Sequence, residues 1–148
     1  RQVLSTLWLT IIIASINAAN PNCGFGRKLL PGDQQYVTSP GFPQSYRGSR
    51  NCLWHFTSDT RVKLTCNYFN LPRSRGCDQD YLEILSGGRS GKYCGNGNFS
   101  KESSGQEMRI TFYTTPNTPG GAFSCIAEAV EDRGCRCGWK KPESWSLT

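Results

Sequence analysis

Cys77-Asp78-Gln79-Asp80-Tyr81-Leu82-Glu83-Ile84-Leu85-Ser86-Gly87-Gly88-Arg89-Ser90-Gly91-Lys92-Tyr93-Cys94-Gly95 is the stretch whose reading decides the fold. A cysteine opens it, Tyr81 to Leu85 is a short β-rich run, Gly87-Gly88 and Gly91 supply a turn, and Cys94 closes it. This pattern predicts a disulfide-tied hairpin corner. The rest of the chain is expected to form a β-sandwich around it, presenting loops and holding no catalytic chemistry.

Working outward, hydrophobicity alternates with a period of two. Cys52, Trp54 and Phe56 alternate with Leu53, His55 and Thr57, and Val62, Leu64, Cys66 and Tyr68 with Arg61, Lys63, Thr65 and Asn67. Downstream, Met108, Ile110 and Phe112 form a third such run, and Phe123, Cys125, Ala127 and Ala129 a fourth. Turn residues separate the runs, as in Ser39-Pro40-Gly41-Phe42-Pro43 and Thr115-Pro116-Asn117-Thr118-Pro119-Gly120-Gly121. No amphipathic helix is expected after residue 19. Several half-buried strands with regular turns predict an all-β, two-layer antiparallel sandwich.

The 148 residues leave room for one domain, and 36% hydrophobic with 19% charged residues is ordinary for a folded chain. Eight cysteines in this length point to disulfides and an oxidising compartment. Arg1, the apolar run Leu7 to Ile16 and the small residues Ala18-Ala19 have the layout of a secretory signal peptide, so residues 1–19 are set apart from the fold. That run is shorter than a membrane span, which needs about 20 apolar residues. No initiating Met is present, so the true first residue is expected to precede Arg1. The expected product is secreted. The formal net charge is +6, with basic residues scattered as Arg27-Lys28, Arg47 and Arg50, Arg73 and Arg75, and Lys140-Lys141. That scatter predicts a solvated basic surface rather than a nucleic-acid stripe, with binding to an acidic glycan or an anionic surface as the alternative.

Cys23-Gly24, Ser39-Pro-Gly-Phe-Pro-Gln-Ser-Tyr46, Asn51-Cys-Leu-Trp54, Cys77 with Asp80-Tyr-Leu-Glu-Ile84, Tyr93-Cys-Gly95, the run Met108 to Phe112, and Gly121-Ala-Phe123 together resemble a CUB domain. The likeness covers Cys23 to Val130, within a domain bounded at 20–131. It implies a jelly-roll-like sandwich, with Cys23 paired to Cys52 and Cys77 to Cys94. Cys66 and Cys125 lie outside that basic pattern, each among apolar residues of the same parity. They are expected to form a third, core-facing bridge, with two buried free thiols as the alternative. The extra pair, and the tail sequence Cys135-Arg136-Cys137-Gly138-Trp139 within residues 132–148, resemble arthropod CUB-serine proteases.

That resemblance would imply a trypsin-like domain, yet Ile-Val-Gly-Gly and Gly-Asp-Ser-Gly are absent from these 148 residues. The single histidine, His55, falls on the solvent-facing parity of its strand. Asp78, Asp80 and Glu83 offer the paired carboxylates of a glycosidase, but three acids beside a strand start also read as structural or solvated groups. Many CUB domains hold calcium through a Glu, an Asp beside the Tyr, and a later Asp. Asp80 fits the second position, while Pro72 and Thr115 stand where the other acids belong. No calcium, zinc or other cofactor is therefore expected.

Asn98-Phe99-Ser100 is an N-glycosylation acceptor. Cys135 and Cys137 are too close in sequence to pair without strain, so they are expected to be free or joined to a second chain. The combined expectation is a secreted, non-catalytic module binding an extracellular protein or glycan, as in arthropod venom or haemolymph. The alternative is the product of a CUB-serine protease gene without its protease domain.

Overall fold

The computed structural model describes residues 23–131, in which the alternating runs become strands of two facing sheets. In chain order these are β1 (Gly26–Leu29), β2 (Gln34–Thr38), β3 (Arg50–Ser58), β4 (Arg61–Leu71) and, after a 3-10 turn at Arg75–Cys77, β5 (Tyr81–Ser86). There follow β6 (Arg89–Tyr93), β7 (Gly95–Asn96), β8 (Phe99–Glu102), β9 (Glu107–Thr114) and β10 (Ala122–Val130). The first sheet runs β1-β3-β9-β5-β6; the second runs β2-β10-β4-β7, with β8 also on β4. All pairings are antiparallel except β1 with β3, which run parallel. Gly24 allows that start, because a Cβ there would lie 2.7 Å from the Leu53 nitrogen.

The inward parities meet in one core. Trp54, Phe56, Leu82, Ile84, Met108, Ile110 and Phe112 of the first sheet face Val62, Leu64, Phe69, Phe123 and Ala127 of the second, all buried. Phe123 sits at the centre, edge-on to Phe112 at 4.9 Å and to Trp54 at 6.3 Å between ring centroids. Three disulfides staple the sandwich: Cys23–Cys52, Cys77–Cys94 and Cys66–Cys125. The last joins directly paired residues of β4 and β10 and spans 59 residues of sequence. Closing a loop of that length restrains the unfolded chain by about 4 kcal/mol on the chain-entropy estimate.

Two details depart from the sequence reading. Tyr68 is exposed rather than inward, because Ser124 pairs with Tyr68 while Cys125 pairs with Cys66, leaving Asn67 as an extra residue in β4. This bulge flips the parity, so Phe69 is buried in place of Tyr68. Gly91 belongs to β6, opposite Ile84, and takes no part in the turn. The turn is Gly87-Gly88 alone, whose φ angles of 57° and 73° suit a two-residue hairpin that only glycine-like residues make without strain. Among the described residues no helix is long and apolar enough to cross a membrane.

Candidate binding site: the loop end of the sandwich

Strand direction brings the segments 39–49, 72–80 and 115–121 to one end of the sandwich. Asp80 ties them together, and its side chain is almost wholly buried. Its Oδ1 accepts from the Thr115 backbone N–H at 3.0 Å and from Thr115 Oγ1 at 3.3 Å. Its Oδ2 accepts from Tyr46 Oη at 2.7 Å and from Thr118 Oγ1. Four neutral donors from two other loops therefore saturate one carboxylate at the start of β5. A buried carboxylate is tolerable only when its lone pairs are met in this way.

The donors are themselves held in place. Tyr46 packs edge-on against Phe112 at 4.9 Å, and its N–H donates to the Gly121 carbonyl at 2.9 Å. Burial, then the hydrogen bond to Asp80 and that carboxylate's charge, push the Tyr46 hydroxyl well above the ordinary tyrosine range, so it remains a donor. Thr118 Oγ1 accepts from the Gly120 N–H at 3.0 Å. Gly120, at φ 89°, is required here, since a Cβ would lie 2.8 Å from the Tyr46 carbonyl oxygen. Thr114 adds a further tie, accepting from the Arg50 N–H at 2.7 Å and donating to the Gly48 carbonyl at 2.7 Å.

These residues do not fit a calcium ion. Calcium takes six to eight oxygens, mostly carboxylates. Here Asp80 stands alone, the lone pairs that would face a cation accept hydrogens, and Thr115 directs an N–H and a hydroxyl at it. Among the described residues no cluster of three or more His, Cys, Asp or Glu could hold a metal.

Around this clamp Arg47, Arg73 and Arg75 of the connecting segments and Arg50 at the start of β3 are exposed. Among the described residues none of the four lies within ion-pair distance of a carboxylate. The side chain of Arg73 runs along the surface of Gly95, with Nε 3.2 Å from where a Cβ would stand. Sequence order scatters these arginines; the fold gathers them.

The polar residues that would suggest catalysis do not converge, as the sequence reading expects. His55 is half exposed, and its hydrogen-bond partner is Glu107 at 3.1 Å, with no serine or cysteine nucleophile bonded to it. Asp80 is buried in the clamp, Asp78 is exposed, and Glu83 lies opposite Thr111 and Lys92 on the outer face of the first sheet, so no facing carboxylate pair exists among them. Asn98 is exposed beside β8. Residues 1–19 and Cys135 and Cys137 lie outside the described residues. A groove of about 690 Å³ at the far end is lined by Asp33, Arg61, Lys63, Glu102, Glu128 and Glu131, whose charges are mixed.

Residues 23–126 match the CUB domain family. This chain belongs to it. The chain is 28% identical over 146 residues to Venom serine protease 34 of Apis mellifera, covering 96% of this chain and 34% of that protein. It is 37% identical over 126 residues to Neuropilin-1 of Gallus gallus, covering 78% and 13% respectively. Among solved structures, the CUB1-EGF-CUB2 domain of human MASP-1/3 superposes with a TM-score of 0.62 at 28% identity, covering 66% of this chain and 41% of that one. The chain thus spans about a third or less of these two curated relatives. The trypsin-like motifs are not in these 148 residues.

Proposed function

We propose that this CUB domain is a secreted, non-catalytic binding module that takes an oxyanion-bearing extracellular ligand at its loop end. In the matched families the CUB domain is an extracellular binding module. The observation that carries the finer reading is the set of exposed arginines, Arg47, Arg50, Arg73 and Arg75, around a carboxylate already satisfied by neutral donors. An arginine fork binds carboxylate or sulfate in bidentate fashion, and unpaired arginines on one end focus positive potential there. The ligand class is therefore an acidic peptide or a sulfated glycan. The test is surface binding of a poly-glutamate peptide and of a sulfated oligosaccharide to the wild type and to an Arg73→Ser/Arg75→Ser variant. At least one probe should bind, weaken with salt, and lose about tenfold affinity in the variant. Binding of neither probe rejects the reading.

The apolar run before residue 19 supports secretion, and the likeness to a venom protein supports a role in venom or haemolymph. A second reading has its own support: 96% of this chain aligns with only 34% of a serine protease, so the same module can serve as a targeting arm beside a catalytic domain. Sequencing the transcript past the codon for Thr148 separates them. A trypsin-like frame favours the second reading, and a stop codon the first. Under the first reading at least one of Cys135 and Cys137 forms a disulfide to a second chain or a small-thiol cap, and under the second to the protease domain, because the six other cysteines are consumed. Non-reducing peptide mapping that places both tail cysteines in bridges to residues 23–125 would refute this.

A further inference from the structure

The outer face of the second sheet carries an aromatic patch that the loop-end site does not use. Tyr36 of β2 is 66% exposed and Tyr68 of β4 is 48% exposed. Phe42 stands edge-on to Tyr68 with ring centroids 5.8 Å apart. The Asn67 bulge puts Tyr68 on this face, with Phe42 of the loop segment 39–49 partly buried against it.

The sequon lies beside that pair. β8 runs along β4 with Phe99 opposite Cys66 and Ser100 opposite Thr65. Phe99 turns inward, stacked on Tyr93 at 4.5 Å and edge-on to Phe69 at 5.1 Å. By strand parity Asn98 and Ser100 then take the outer side, and both are exposed. The Gly97 N–H donates to the Phe69 carbonyl at 3.1 Å. The Asn98 amide, oriented to satisfy its neighbours, donates to the carbonyls of Asn67 at 2.8 Å and Gly97 at 3.2 Å. Asn98 therefore stands across from the Asn67-Tyr68 peptide, on the face where Tyr68 is exposed.

We propose that Asn98 carries an N-linked glycan whose first N-acetylglucosamine lies over the Tyr68 and Phe42 rings. In its formation, the Asn98 amide nitrogen attacks the anomeric carbon of a polyprenyl-pyrophosphate-linked oligosaccharide. The N–C bond forms as the C–O bond to pyrophosphate breaks, the lipid pyrophosphate leaves, and one amide proton passes to a base of the transferase. The transfer replaces the amide hydrogen directed at the Gly97 carbonyl, and the remaining N–H still donates to the Asn67 carbonyl, which directs the sugar along β4. Its C–H face and acetyl methyl then meet the electron-rich faces of the rings. The glycan also shields the free edge of β8 from pairing with another chain.

The test uses the chain secreted from a eukaryotic host restricted to high-mannose glycans. Peptide mass mapping should find the glycan on Asn98. Trimming to a single N-acetylglucosamine should leave Tm unchanged, while Asn98→Gln lowers it by about 3 °C, the scale of a sub-kcal contact in a domain of this size. Tyr68→Ser should lower Tm by a similar amount in the glycosylated protein and leave the Asn98→Gln protein unchanged. The acetyl methyl proton of the trimmed protein should show an upfield ring-current shift that Tyr68→Ser removes. An unmodified Asn98, additive losses from Asn98→Gln and Tyr68→Ser, or an unshifted methyl would each overturn the proposal.

Discussion

The two ends of the sandwich arrange their charges in opposite ways. At the far end, basic and acidic side chains pair on the surface, Lys28 with Asp59 at 2.8 Å and Arg61 with Glu102 at 2.7 Å. At the loop end, the one buried acid is bonded to hydroxyls and an amide, and four arginines remain exposed without carboxylate partners among the described residues. Exposed pairs contribute little stability and cancel each other's field. A carboxylate met by neutral donors holds its loops together while leaving the surrounding cations to act outward. The far end pairs part of its charge and leaves acids such as Asp33 and Glu128 over; the loop end is fastened inside and leaves arginines over.

The sharpest way to break this comparison is to remove the fastening. Asp80→Ala leaves the Tyr46 hydroxyl, the Thr115 N–H and two threonine hydroxyls without their acceptor. Unfolding in urea should show a loss of about 3–5 kcal/mol. A loss below about 1 kcal/mol would mean that the loops do not depend on Asp80.

Tyr46→Phe removes one donor and should cost about 1–2 kcal/mol by the same measurement. It should also alter the alkaline limb. Because the Tyr46 hydroxyl is raised in the folded state, the stability it contributes is fully present below the unfolded tyrosine value of about 10 and is lost as pH climbs above it. Wild-type stability should fall above about pH 10 more steeply than that of Tyr46→Phe. Parallel curves would contradict the buried, hydrogen-bonded hydroxyl.

Arg61→Ser at the far end should cost less than about 1 kcal/mol, as expected for an exposed pair, and leave probe binding unchanged. Arg73→Ser/Arg75→Ser should change stability by less than about 0.5 kcal/mol while weakening the probe about tenfold. If Arg61→Ser weakened the probe as much, the two ends would not differ in function.

The sequence reveals elements whose side chains alternate and conceals those whose stability comes from the ladder alone. β3, β4, β5, β9 and β10 each bury one parity and are legible from it. β1, β2 and β8 are short edge strands that each bury at most one residue, held by backbone hydrogen bonds that leave no hydrophobic period. The parity of Tyr68 was misleading because a bulge adds one residue without any Gly or Pro to announce it. The site was legible only in part. The poor fit to calcium follows from Pro72 and Thr115, but the clamp that stands in its place draws on Tyr46 and Thr118, which lie 34 and 38 residues from Asp80. Likewise Arg47 and Arg73 become neighbours of one end only through the crossings of β3, β4 and β5.

The most direct test of the central claim is to titrate the intact chain with the tighter of the two anionic probes, in EDTA and again in millimolar calcium. The hydrogen-bonded clamp predicts the same Kd in both, since the loops are held by Tyr46, Thr115 and Thr118 and the contacts are made by arginines. Binding that vanished in EDTA and returned with calcium would contradict it, and would place a cation where the structure has hydroxyl groups.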